Sequence, residues 1–429
     1  MKEKLIQSTI ILLIGGLITK VLGMLIKIVM ARLIGTEGLG YYMLILPTFI
    51  LLINISQLGL PLALSKLIAE ENRSSKKLFL SILPLLIIIN IVLMIIIYST
   101  APIISNYFLH NKNLEISIKS MSLVIPFTSI SSICRSYYFG KQKMFPHVLS
   151  NIIEDLVRLL IMILGISYIL PYGLKYTICF LILSNIISES ISTIILIIFL
   201  PKNIQIHKKD LVPNKTYIKE SLQIGIPTTT SRIISNIAYF LEPIIITTSL
   251  LNIGYSSSYI TNEYGIISGY VLPLILLPSF FTLAISQALL PSISKDYKEG
   301  NKKDIKKKLY FSITLSLIIV IPITIFLILK PQVLLKLIYH TNKGINYIRV
   351  LSPICILEYV QAPLTTCLDA IGKSKDNMKS SFIGMSTRII LLLILTKFKI
   401  GLWSLIISIS MNIILTTLYE IKKVRKYLT

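Results

Sequence analysis

Apolar and polar positions along this chain alternate on the scale of whole helices. Mainly apolar stretches of about 20 residues recur from end to end, each long enough to cross a hydrocarbon layer of about 30 Å as a helix. Short basic or polar segments separate them. Twelve spans are predicted, at 5–31, 40–65, 78–99, 118–139, 149–170, 176–199, 219–250, 264–291, 309–329, 347–370, 379–396 and 401–420. The first is too long for the core of a signal peptide and no small-residue cleavage pattern follows it, so it is read as a membrane helix.

These spans fall into two sets of six. The stretch from Pro201 to Lys219 is polar, basic and carries two prolines, and it reads as a cytoplasmic linker (201–218) between an N-terminal bundle (1–200) and a C-terminal bundle with a basic tail (219–429). The two sets resemble each other. KKLFLSILPLLIII from Lys76 matches KKLYFSITLSLIIV from Lys307 at an offset of 231, and VRLLIMIL from Val157 matches TRIILLLIL from Thr387 at 230, with Arg158 over Arg388. Pro126 and Pro353 agree at 227, and Lys20 and Arg232 at 212. Six helices separate the mates, so the repeats share one orientation. Parallel repeats about an axis along the membrane normal are a transporter plan. The expected fold is an all-α integral membrane protein of about twelve helices in two pseudo-symmetric six-helix bundles.

Composition sharpens this picture. Of 429 residues, 54% are apolar or aromatic, above the roughly 45–50% of soluble proteins, which excludes a soluble enzyme, a fibrous protein and a disordered chain. The net charge of +24 would suggest nucleic acid in a soluble protein, but the cations are placed otherwise. With the N-terminus in the cytoplasm, and with the span-edge residues Lys119, Lys219 and Lys379 counted with their loops, 27 of the 43 lie in tails and inner loops, 9 in outer loops and 7 within spans. That asymmetry follows the positive-inside rule and puts both termini in the cytoplasm, where basic loops face anionic lipid and nucleic acid is not needed as a partner. The four cysteines, Cys134, Cys179, Cys355 and Cys367, have no CxxC spacing and the four histidines are scattered, so no metal site, haem or disulfide framework is expected. No P-loop or kinase motif occurs, and neither ATP hydrolysis nor a cofactor is expected.

Ionisable residues inside spans carry the candidate chemistry, because each costs about 2.5–3.5 kcal/mol at a helix centre on translocon scales. Lys20 sits near the middle of helix 1, with Lys27 seven residues on and on the same face. Arg232 sits near the middle of helix 7, with Asn236 one turn later. As pseudo-symmetric cations at mid-depth, Lys20 and Arg232 would attract an anion; capping of carbonyls or pairing with a carboxylate is the bland alternative. Arg158 and Arg388 form a second repeat pair of candidate ligands, although Glu154 stands one turn before Arg158 and offers an i,i+4 ion pair. Arg135 and Asp155 are expected near cytoplasmic helix ends, snorkelling or paired with loops. Glu242, Glu358 and Glu189 are the candidate ion-coupling acids, through a proton or sodium; pairing with Arg232 or Arg349 competes. Prolines inside spans kink helices, and Pro47, Pro61, Pro227, Pro273 and Pro278 are the expected hinges.

Two segments carry a family resemblance. LITKVLGMLIKIVMARLIGTEGLGYYMLILP followed by LGLPLALSKLIAEEN in the first 75 residues, and VLPLILLPSFFTLAISQALLPSISK from Val271 to Lys295, resemble the polysaccharide-exporter branch of the multidrug/oligosaccharidyl-lipid/polysaccharide exporter superfamily. The resemblance implies a V-shaped cavity lined by helices 1, 2, 7 and 8 with alternating access. It also implies a lipid-linked saccharide as cargo, of the undecaprenyl-pyrophosphate kind used as a peptidoglycan precursor in the spore cortex. Related lipid II flippases place arginines in this cavity; Lys20 matches one on helix 1, whereas a helix 8 arginine position holds Pro273. The chain stops after span twelve where many relatives add two helices, which leaves the route of the polyprenyl tail open.

Three readings follow: a flippase in the cytoplasmic membrane, a drug or cation antiporter of the same fold, and a non-transporting scaffold that recruits cell-wall synthesis enzymes through basic loops such as Ser292 to Lys308. The coupling force is open between membrane potential, H+ and Na+. Membrane lipids and the lipid-linked saccharide are the expected partners.

Overall fold

A computed structural model describes residues 2–70, 74–200 and 212–428, with side chains from Ile11 onward except those of Leu13, Ser231 and Ser235. Most of the expected linker at 201–218 therefore lies outside the described residues. All regular structure among the described residues is helical, as hydrocarbon requires of a chain that must satisfy its backbone polar groups internally. Buried hydroxyls obey the same demand by bonding back along their own helix: Ser81 donates to Lys77 O at 2.7 Å, Ser408 to Ser404 O at 2.7 Å and Thr417 to Ile413 O at 2.8 Å.

The first unit contains α1 (Lys2–Gln57), α2 (Leu60–Ala69), α3 (Ser75–Ile103), α4 (Glu115–Gly140), α5 (Met144–Ile169) and α6 (Leu174–Ile198), followed by the long α7 (Lys215–Asn252). The second contains α8 (Ser257–Gly265), α9 (Leu272–Ile275), α10 (Ser279–Lys298), α11 (Lys302–Leu329), α12 (Pro331–Tyr339), α13 (Ile345–Ala370), α14 (Ser374–Leu395) and α15 (Trp403–Leu428). The units are Met1–Phe240 and Leu241–Thr429, and the boundary falls inside α7.

Eight helices among the described residues are long and apolar enough to cross a membrane, or ten if α1 with α2, and α8 and α9 with α10, each form one bent span. The twelve stretches counted in the sequence differ from these ten at two places. Unbroken, the 56 residues of α1 would reach roughly 84 Å at 1.5 Å per residue; Gly35, at φ 69° and ψ −173°, divides them into two helices. The other place is α5, where Glu154, Asp155 and Arg158 fall within every 18-residue stretch of its 26 residues.

In the first unit α4 packs on α2, α3 and α6, and α5 packs on α1 and α6. Leu64, Leu78, Ile82, Leu86 and Ile133 form a buried core there. In the second unit α13 packs on α10, α11 and α15, around Ile293, Ile305, Leu364, Leu368 and Val424. Ile88, Ile95 and Ile318 turn outward at 60%, 59% and 63% exposure, a pattern that water would penalise and lipid does not. Each unit contains one broken span: α1 and α2 meet at 45°, and α9 and α10 at 49°. At the first break Leu58 and Gly59 are left-handed. A Cβ on Gly59 would lie 2.4 Å from Gly225 O on α7, and one on Gly225 would lie 2.5 Å from Leu58 O, so two glycines let backbone meet backbone.

Candidate functional site

The mid-helix cations divide into paired and unpaired sets. In the first unit Arg135 on α4 is the hub of a network joining three helices. It is ion-paired to Glu154 on α5, donates to Glu189 on α6 at 2.8 Å, and donates to Ser192 at 2.9 Å. Arg158, one turn beyond Glu154, is ion-paired to that same carboxylate and reaches Asp155 at 3.4 Å. Glu154 and Glu189 are only 6% and 7% exposed, a burial that charged groups tolerate when paired and hydrogen-bonded.

Arg135 is expected from the sequence near a cytoplasmic helix end, snorkelling or paired with a loop. Instead it turns inward to two carboxylates, 19 and 54 positions away in sequence, because a buried acid pair on neighbouring helices attracts a cation more strongly than the interface does. Glu189 is thus committed to an arginine, and Arg158 takes the local i,i+4 pairing.

In the second unit Arg388 on α14 is ion-paired to Glu242 on α7, and Tyr264 donates to the other carboxylate oxygen, Oε1, at 3.2 Å. Glu242 is 2% exposed. Glu358 on α13 is half-buried and lies in the field of Arg388. A further acid, Glu420 on α15, is 1% exposed and sits against Thr365 and Ser380. The expected acids did not include it; the signal was present, since Glu420 follows Glu189 at the repeat offset of 231.

Lys20, Lys27 and Arg232 form the unpaired set. All three belong to the first unit, are exposed, and make no ion pair among the described residues. Lys20 and Lys27 are near enough to act on each other electrostatically. Asn236 bonds back to its own helix, donating to Arg232 O at 2.8 Å.

The expected hinge prolines occupy three kinds of position. Pro47 is buried inside α1 and Pro227 lies exposed inside α7, where each removes a backbone bond. Pro61 stands in the first turn of α2, where no intrahelical donor is lost, whereas Pro273 follows the π-helical segment without a break and removes a donor from a continuous helical run. Pro278 immediately precedes α10 at the 49° break, downstream of a π-helical segment at Ile266–Val271.

This is the fold of a multi-pass membrane transporter. The family described as polysaccharide biosynthesis protein matches residues 5–297, and that described as MatE matches residues 243–394. The chain belongs to the polysaccharide biosynthesis protein family, within the multidrug/oligosaccharidyl-lipid/polysaccharide exporter superfamily.

It is 30% identical to stage V sporulation protein B of Bacillus subtilis, over 100% of this chain and 85% of that protein. It is 22% identical to the lipid II flippase MurJ of the same organism, over 91% and 77% of the two chains. Among solved structures, a multidrug resistance MATE family transporter in an inward-facing conformation superposes with a TM-score of 0.77 at 16% identity, covering 96% of this chain and 94% of that one. The lipid II flippase MurJ in an inward closed conformation gives 0.72 at 19%, covering 96% and 87%. Of these, the MurJ proteins are lipid II flippases and the MATE protein is a multidrug transporter.

Proposed function

We propose that this protein is an alternating-access flippase that moves a lipid-linked saccharide of the undecaprenyl-pyrophosphate type across the cytoplasmic membrane, with both termini in the cytoplasm. The observation that carries this reading is the division of cations. Arg135, Arg158 and Arg388 are each bound to a carboxylate, whereas Lys20, Lys27 and Arg232 are exposed and make no ion pair among the described residues. An unpaired cation facing hydrocarbon at mid-helix would cost about 2.5–3.5 kcal/mol, so the faces carrying these three are wet and ready for an anion.

A pyrophosphate needs such a path. Stripping charged oxygens of water costs several kcal/mol or more each, and charge-assisted hydrogen bonds to lysine and arginine replace the lost hydration. The polyprenyl tail stays in lipid, and no covalent bond is made or broken. The similarity to the lipid II flippase MurJ supports the cargo class, and the basic inner loops support the orientation. Lys20, Lys27 and Arg232 are the proposed phosphate ligands, Asn236 positions the Arg232 turn, and Glu358 lies in the field of Arg388.

The test is translocation of a fluorescent undecaprenyl-pyrophosphate saccharide by the purified chain in proteoliposomes. Movement well above that of empty vesicles is expected. No movement, together with export of a lipophilic cation, would replace the flippase with the antiporter; neither activity would favour a scaffold for cell-wall synthesis enzymes.

A further inference from the structure

The two units contain one three-helix arrangement with different chemistry at its centre. α4 and α13 are each 26 residues long and begin 230 positions apart. Each leads through the same short turn, left-handed at Gln142 and at Gly372, into α5 and α14. At that spacing the counterpart of Arg135 is Thr365, and the counterpart of Glu189 on α6 is Glu420 on α15, one position further on. In the first unit Arg135 donates to Glu189 at 2.8 Å. In the second, Thr365 Oγ1 donates to Glu420 Oε2 at 3.1 Å. The acid has been kept while its cation has been exchanged for a neutral hydroxyl.

Among the described residues no cation takes the place of the missing arginine. Glu420 makes no ion pair among the described residues. The charged groups acting on it most strongly are Glu358 and Asp369 of α13, both acidic. On α14, Asp376 is committed to Lys423 and Tyr427, and Arg388 is committed to Glu242. α11 also packs on α15, but none of its side chains hydrogen-bonds or ion-pairs with Glu420 among the described residues. A carboxylate buried in this way without a counter-charge is strongly unfavourable.

The hydrogen bonds leave room for a proton as the resolution. Ser380 Oγ lies 2.8 Å from Asn377 O and 2.8 Å from Glu420 Oε1. A serine hydroxyl has one hydrogen to give. If it goes to the Asn377 carbonyl, which is purely an acceptor, the hydrogen in the second contact must come from the glutamate. A carboxylic acid there completes a chain from Glu420 to Ser380 to Asn377.

We propose that Glu420, held by Thr365 and Ser380, is a proton-binding site of the second unit, in which a proton does the work that Arg135 does in the first, and that its loading couples translocation to the proton gradient. The coupling rests on the flippase reading; the proton site does not. The test is infrared difference spectroscopy on the full chain in lipid nanodiscs. A protonated-carboxyl stretch is expected at neutral pH, lost in Glu420→Gln and lost again in Thr365→Arg, where the restored cation ionises the acid. A spectrum unchanged by both substitutions would overturn the site, and a band removed by adding sodium would overturn its assignment to a proton. In proteoliposomes an imposed pH gradient is expected to change the wild-type flipping rate about tenfold and that of Glu420→Gln by less than twofold; equal responses would overturn the coupling. A protein that shows the band but translocates no saccharide would sink the flippase reading and leave the proton site standing.

Discussion

Arg388 on α14 is ion-paired to Glu242 on α7, and this pair, with Tyr264 on the second carboxylate oxygen, ties the far end of α7 into the second unit. Glu242 is 2% exposed, so either partner left alone would be a buried or half-buried charge without compensation. Removing one member of a buried pair costs about 3–5 kcal/mol, whereas replacing both by apolar or neutral groups of similar size can be close to neutral. Arg388→Met is therefore expected to lower stability by about that amount, and Arg388→Met with Glu242→Gln to recover most of it. Thermal unfolding in detergent, arranged as a double-mutant cycle, checks this; additive losses would show that the two residues do not act as a pair.

Arg135 serves two acids on two other helices, so its loss leaves more behind than the loss of Arg158 does. In Arg135→Ala both Glu154 and Glu189 remain buried, with Arg158 as their one ion-pairing cation among the described residues. A loss of about 3–5 kcal/mol is expected. Arg158→Ala leaves Arg135 between the acids and is expected to cost less than half of that. The ratio of the two shifts in unfolding temperature decides the point.

Gly59 and Gly225 make a contact that no side chain can enter. Gly59 has φ 61°, and a Cβ on either residue would fall within 2.5 Å of a backbone oxygen of the other segment. Left-handed backbone alone costs about 1–2 kcal/mol for a residue with a Cβ. Gly59→Ala and Gly225→Ala are each expected to lower the unfolding temperature by several degrees or to abolish expression. Gly16→Ala, with nothing within 4 Å of its Cβ position, is expected to leave both unchanged.

Much of this architecture is legible in the apolar pattern, because hydrocarbon permits so few backbone solutions. The repeat offset near 230 anticipates the matched helices α4 and α13, and the i,i+4 spacing anticipates the Glu154–Arg158 pair. Contacts between distant segments are not legible in that way. Arg135 has partners 19 and 54 positions away, and Arg388 meets Glu242 from the other end of its unit; no periodicity encodes either. Glu420 illustrates a different failure. Its repeat relation to Glu189 was visible, but only the exchange of Arg135 for Thr365 across the helix interface gives that relation chemical meaning. Gly35 and the charges of α5 disturb the count of spans for local reasons, one by breaking a helix, the other by placing three charges in an otherwise apolar one.

The central claim is that Lys20, Lys27 and Arg232 receive the phosphates of the cargo. It is tested most directly by the translocation rate of a labelled undecaprenyl-pyrophosphate saccharide in proteoliposomes reconstituted with wild type, Lys20→Ala, Arg232→Ala and the charge-conserving Lys20→Arg. A loss of about tenfold or more, equivalent to ~1.4 kcal/mol, is expected for each alanine variant, with Lys20→Arg retaining most of the rate. Equal rates in all four proteins would contradict the account.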